Sequence, residues 1–129
     1  MQYFFRLAIK QISMLSNGIP KQPRFVEFHN GKVFVPCFDG YVDVIDTISL
    51  EVIQRIQVGS NPDGIHKVND QLFVANSGGL NYPNVDSTLS VIDPVSMTEV
   101  GRIVVGKNPT RIQSDANGDI YVITQTGLN

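Results

Sequence analysis

Gly59-Ser60-Asn61-Pro62 recurs as Gly106-Lys107-Asn108-Pro109, and a looser version running from Gly18 to Pro23 precedes both. The prolines at 23, 62 and 109 stand 39 and 47 residues apart. The difference can be placed. Counting forward from each proline, Phe34-Val35 occupies the place of Phe73-Val74, and Tyr121-Val122 falls one place later. Counting back from each glycine, Val44-Ile45-Asp46 and Val91-Ile92-Asp93 both end 13 residues upstream. Register agrees at both ends, so the extra residues fall in the stretch from Gly79 to Asp86, which predicts a loop insertion in the second repeat. The chain reads as a repeat protein.

Within each repeat the pattern is of short strands. Val33-Phe34-Val35, Tyr41 to Ile45, Val52 to Val58, Leu72 to Ala75, Leu89 to Ile92, Val100 to Val105 and Ile120 to Ile123 are rich in β-branched and aromatic residues and bounded by Gly, Asn, Asp or Pro. No window sustains a period near 3.6, and Phe4 to Leu15, lacking a cap and a clean stripe, reads as a strand or two. Asn30-Gly31, Asn69-Asp70 and Asn117-Gly118 occupy matching places, where a tight hairpin calls for positive φ at both central residues. Asp46 and Asp93 are placed to accept backbone N–H groups in the turn after the third strand. Four strands in a repeat of about 40 residues is the spacing of propeller blades. The expected fold class is therefore all-β, with four-stranded antiparallel sheets stacked as blades of an incomplete β-propeller.

Leu72-Phe73-Val74-Ala75-Asn76, Ser90-Val91-Ile92-Asp93 and Val105-Gly106-Lys107-Asn108-Pro109 resemble the YVTN repeat of bacterial and archaeal β-propellers, the YncE-like group. The resemblance covers roughly residues 23 to 126. It departs at Val35-Pro36-Cys37, where the family has Val-Ala-Asn, predicting a strand distorted at Pro36, and at Phe5, which stands where an Asp is expected. The implied organisation is 1–22 as outer strands of a preceding blade, 23–61 as a blade, 62–108 as a blade with the insertion 79–86, and 109–129 as inner strands of a further blade. Propellers close with four to eight blades, so the flanks of this one need partners. Those are further blades of a longer chain, or other copies joined through exposed blade edges.

Composition sets bounds. With 42% hydrophobic and 17% charged residues and a formal net charge of −2, the chain is ordinary globular material with no membrane span in its pattern. The absence of a basic cluster argues against nucleic acid as a partner. Met1 to Arg6 does not read as a secretion signal, although the resemblance implies an exported protein of the periplasm or cell surface. Cys37 is the one cysteine and reads as a small core hydrophobe.

Two groups of residues carry the functional expectations. Glu27, His66 and Gln113 each fall four residues after a repeat proline and are expected to form a polar ring at one level of the channel. Arg24, Asp63 and Arg111 begin the inner strands at the channel mouth, beside Asn76, Ser77 and the inserted loop with Asn81 and Tyr82. This mouth is the expected surface for a protein partner or small ligand. Asp115-Ala116-Asn117-Gly118-Asp119 alternates oxygen ligands but runs straight into a strand, which points to a hairpin rather than a calcium loop. No cofactor, metal or catalytic motif is read. The leading expectation is a non-catalytic binding or scaffold module. The alternative is a hydrolase or lyase, like the lactonases that resemble this repeat, using His66, Glu27 and Arg111.

Overall fold

The computed structural model describes residues 21–125 and the backbone of two short paired strands, β1 (Leu15–Ser16) and β2 (Ile19–Pro20). Most of Phe4 to Leu15, the Phe5 position and the Met1 to Arg6 segment lie outside the described residues.

The first sheet has the order β3 (Glu27–His29), β4 (Lys32–Cys37), β5 (Tyr41–Asp46) and β6 (Val52–Gln57). The second repeats it with β7 (Pro62–Val68), β8 (Gln71–Asn76), β9 (Thr88–Asp93) and β10 (Thr98–Val104). A two-stranded sheet, β11 (Arg111–Ser114) with β12 (Ile120–Ile123), follows. Every pairing is antiparallel, and no helix occurs among the described residues.

The continuous apolar runs have a direct cause. Successive side chains on a strand point to opposite faces, and here both faces are covered. Phe34, Val42, Val44 and Ile56 of the first sheet pack against Ile65, Leu72, Val74 and Ile92 of the second. The other face of the second sheet, with Phe73, Ala75, Leu89 and Val91, packs against Ile112, Ile120 and Val122 of the third. A further cluster of Val35, Cys37 and Ile45 lies on the far face of the first sheet.

The Gly-x-Asn-Pro junction carries the chain from the outer strand of one sheet to the inner strand of the next. Its asparagines hold left-handed backbone, with φ of 47° at Asn61 and 52° at Asn108, and Gln22 stands likewise at 55°. Asparagine reaches that region at less cost than most residues. The glycine is needed for room, since a Cβ on Gly59 would lie 2.5 Å from the Asn76 side chain and one on Gly106 2.7 Å from that of Thr124.

Two expectations need correction. β4 runs through Pro36 with unbroken register against Val42, and the irregularity lies on the neighbouring strand. There the bridge of Pro23 to Cys37 and the pairing of Glu27 with Phe34 leave one extra residue on the inner side. The same bulge recurs between Pro62 and Ile65. Pro36 therefore faces a bulge, a position where proline is tolerated. Of the three hairpin turns, Asn30-Gly31 alone has both residues at positive φ; in the others only Asn69 and Gly118 do. The Asn117-Gly118 turn is a five-residue loop, from the Ser114–Ile120 pairing, organised by Asp115.

The remaining turn chemistry is as expected. Asp46 accepts the N–H groups of Ile48 and Ser49, and Asp93 accepts that of Val95. The connection from β8 to β9 spans residues 77–87, where the first sheet uses only 38–40.

Candidate functional site

Pro62 begins β7 and Pro109 stands two residues before β11, and Arg24, Asp63 and Arg111 converge beside them. Asp63 Oδ1 accepts from Arg111 Nη1 at 3.0 Å and from Arg24 Nε at 3.4 Å. Asp63 is only 6% exposed, whereas the side chains of Arg24 and Arg111 retain 41% and 45% of their exposure. Each guanidinium also faces an aromatic ring, Arg24 over Phe38 at 4.6 Å and Arg111 over Phe25 at 5.3 Å. Phe25 and Arg111 hold corresponding places two residues after their prolines. The close approach depends on Gly64, because a Cβ there would meet the Thr110 carbonyl oxygen at 2.4 Å.

The inserted loop stands at this same end. Ser77 Oγ donates to the Asn61 carbonyl and accepts from the Gly79 N–H. Asp86 accepts from the Ser60 N–H at 2.9 Å, and its own carbonyl accepts from the Asn108 N–H. Both roots are thereby tied to the Gly-x-Asn-Pro turns, while Leu80, Asn81, Tyr82, Pro83 and Asn84 at the tip are exposed.

Asn76 and Ser77 depart from expectation. Asn76 is fully enclosed, accepting from the Gly59 N–H and donating to Thr88 and Ser90. Ser77 is equally enclosed and occupied by the loop root. The accessible members of the expected surface are Arg24 and Arg111, both bonded to the Asp63 carboxylate, and Asn81 and Tyr82 at the tip of the inserted loop.

Glu27, His66 and Gln113 hold equivalent register positions opposite Phe34, Phe73 and Tyr121. His66 Nε2 lies 2.8 Å from Ser114 Oγ, a hydrogen bond between consecutive inner strands. Glu27 and His66 are half-buried and Gln113 is exposed. Among the described residues no three of His, Cys, Asp and Glu gather as a metal site would require. At the 115–119 turn, burial pushes the Asp115 carboxyl up, but the N–H groups of Asp119, Asn117 and Gly118 with the Tyr121 hydroxyl outweigh it and hold the carboxyl below the usual range.

Sequence reasoning missed one polar cluster. Asp43, wholly buried on β5, is paired with Lys21 Nζ at 2.8 Å and with Arg55 Nε at 2.6 Å. Arg55 also reaches Asp39 at 2.6 Å and lies over the Tyr41 ring. Burial alone would favour loss of the Arg55 proton; the hydrogen bonds it donates to Asp39 and Asp43 reverse this and hold it more firmly. The available signal was the carboxylate in Tyr41-Val42-Asp43-Val44-Ile45, since a strand covered on both faces must bury it.

A hydrazine synthase of Kuenenia stuttgartiensis superimposes with a TM-score of 0.69 at 20% identity, over 91% of this chain and 33% of that one. The WD40 β-propeller domain of Doa1 matches with a TM-score of 0.68 at 18% identity, over 88% and 36%. The extracellular domain of BT3049 from B. thetaiotaomicron, assigned to the hybrid two-component systems, matches at 0.67 and 21% identity, over 95% and 17%. The chain is a β-propeller module. Its stacked four-stranded sheets are blades, and it spans about a third or less of the length of these matches. No protein-family model and no curated protein matched the chain.

Proposed function

We propose that this propeller module is a non-catalytic binding unit that recognises a partner or small ligand at the channel mouth. The observation that carries the reading is the convergence of Arg24 and Arg111 on buried Asp63, beside a loop whose roots are pinned and whose tip is free. Rigid placement beneath adaptable side chains is the usual construction of a recognition surface. The Gly-x-Asn-Pro junction, with its defined role at each blade crossing, supports assignment to the YVTN-repeat group, and that resemblance in turn implies an exported location. The module works within a ring completed by further blades: the last sheet leaves Tyr121 and Ile123 more than half exposed, and the matched chains are about three times as long or more.

The test is a small-molecule screen on ¹⁵N-labelled protein, read by amide shifts. Binding that perturbs residues 24–25, 63–64, 80–84 and 110–111 supports the reading. Binding confined to other regions overturns it, as does lactone turnover abolished by Glu27→Gln or His66→Ala.

A further inference from the structure

We propose that Arg24 and Arg111 form an oxyanion site, so that the ligand taken at the mouth presents a carboxylate or phosphate group. This deepens the binding-module reading and rests on it.

Charge is the first argument. Two guanidinium groups share one carboxylate, and they share it through a single oxygen, Asp63 Oδ1. The cluster keeps one uncompensated positive charge at half-exposed side chains.

Donor geometry is the second. An arginine offers five N–H donors in a planar fork. Arg24 engages Asp63 through Nε, so among the described residues its two terminal nitrogens make no hydrogen bond. Arg111 engages Asp63 and the Thr110 carbonyl through Nη1, which leaves Nε and Nη2 open along its other edge. Each group thus retains an edge with the two-point spacing that carboxylate and phosphate oxygens match. A phosphate or carboxylate between them would complete a charge-alternating chain with Asp63.

Preorganisation is the third. Both guanidinium planes are backed by rings, Phe38 and Phe25, and Arg111 is held over the inner strand by the absence of a side chain on Gly64. Less rotamer freedom is then lost when an anion binds. Phe25 is itself partly exposed beside the pair, and offers an apolar surface to an organic body carrying the anion.

The experiment titrates the full chain with phenyl phosphate, benzoate and inorganic phosphate, following the arginine Nε–H resonances. Shifts of the Arg24 and Arg111 signals by phenyl phosphate or benzoate, but weakly by inorganic phosphate, assign an organic anion; comparable shifts by inorganic phosphate assign free phosphate. Arg24→Gln and Arg111→Gln should each weaken binding by about tenfold or more. Asp63→Asn should tighten it, because the competing carboxylate is gone. That opposite sign separates an anion site from a site lost through misfolding, which weakens binding in all three variants and overturns the proposal. It is overturned equally if none of the three probes moves either arginine signal, or if the Arg→Gln variants bind as the parent does. A neutral ligand found at the mouth with both arginine signals unmoved would leave the binding module standing and remove the anion site.

Discussion

The Nδ2 of Asn108 donates to the carbonyl of Ser77 at 2.7 Å, and the same nitrogen reaches the Gly79 carbonyl at 2.8 Å. Asn61 makes the equivalent bond one blade earlier, to the Phe38 carbonyl at 3.4 Å. The asparagine of each Gly-x-Asn-Pro junction therefore fastens a new inner strand to the loop after the second strand of the blade just completed. In the second blade that loop is the inserted one, so the junction that organises the repeat also anchors the candidate site.

Asn108→Ala should consequently be costly. It strands two carbonyls in an enclosed place and puts a Cβ-bearing residue without a compensating side chain at φ 52°. The expected loss is about 2–4 kcal/mol, from the unsatisfied acceptors and the left-handed backbone. Asn108→Gly, which relieves the backbone, should lose less. Asn61→Ala, giving up one longer bond, should also cost less than Asn108→Ala. Urea midpoints at constant m-value rank the three, and equal losses for Asn61→Ala and Asn108→Ala would contradict the assignment.

Much of this was legible from repetition. The junction motif and the Asp46 and Asp93 turns could be read because each blade must solve the same crossing and closing problems with the same few residue types. Asn76 was misjudged for a related reason. A polar residue ending a strand looks like a surface group, yet here it receives the Gly59 N–H of the crossing chain and is sealed beneath it. Lys21–Asp43–Arg55 was illegible because Ser60 stands at the place of Lys21 in the next junction, and because the second blade replaces Asp43 by Ser90, bonded to Glu99 beside Arg102. A pair made by one blade alone leaves no periodic trace.

That cluster has a measurable consequence. Removing Asp43 as Asp43→Ala leaves the buried ammonium of Lys21 unpaired and deprives Arg55 of one of its two carboxylates. Breaking a buried pair from one side is expected to cost about 3–5 kcal/mol. Arg102→Ala, which removes an exposed bond to Glu99, should shift stability by about 0.2–1 kcal/mol. Chemical denaturation of the two variants compares a buried network with its surface counterpart.

Cys37 provides the pH test. Burial pushes its thiol up to about 12, with the neighbouring Asp43 and Asp39 carboxylates acting in the same direction. The folded state thus holds the proton more tightly than the unfolded chain, whose thiol titrates near 9.0. The stabilisation is complete below that value and drains away as pH rises from about 9 towards 12. Unfolding free energy should fall over this alkaline window, and the slope should shrink in Cys37→Ala by one proton's worth, about 1.4 kcal/mol per pH unit. At pH 8 a maleimide should label the native thiol far more slowly than the thiol in guanidinium. Rapid native labelling would show that Cys37 is accessible and its pKa ordinary.

Gly64 links fold and site most directly. Its missing side chain admits the Thr110 carbonyl and the Arg111 backbone, so the third inner strand lies close enough for Arg111 to reach Asp63. Gly64 is not at positive φ, so Gly64→Ala introduces a clash without altering the conformation the backbone must adopt. A Cβ at 2.4 Å from a backbone oxygen requires the strand to move. The hairpin of Arg111–Ser114 and Ile120–Ile123 should then loosen from the second blade, while the core of Phe34, Val44, Leu72 and Ile92 remains packed. Amide exchange should rise along residues 110–123 with little change along 32–46, and the Arg111 Nε–H resonance should lose the ring-current shift imposed by Phe25. Uniform loss of protection across both blades would mean that the inter-blade contact at Gly64 supports the whole stack, not the last sheet and its arginine alone.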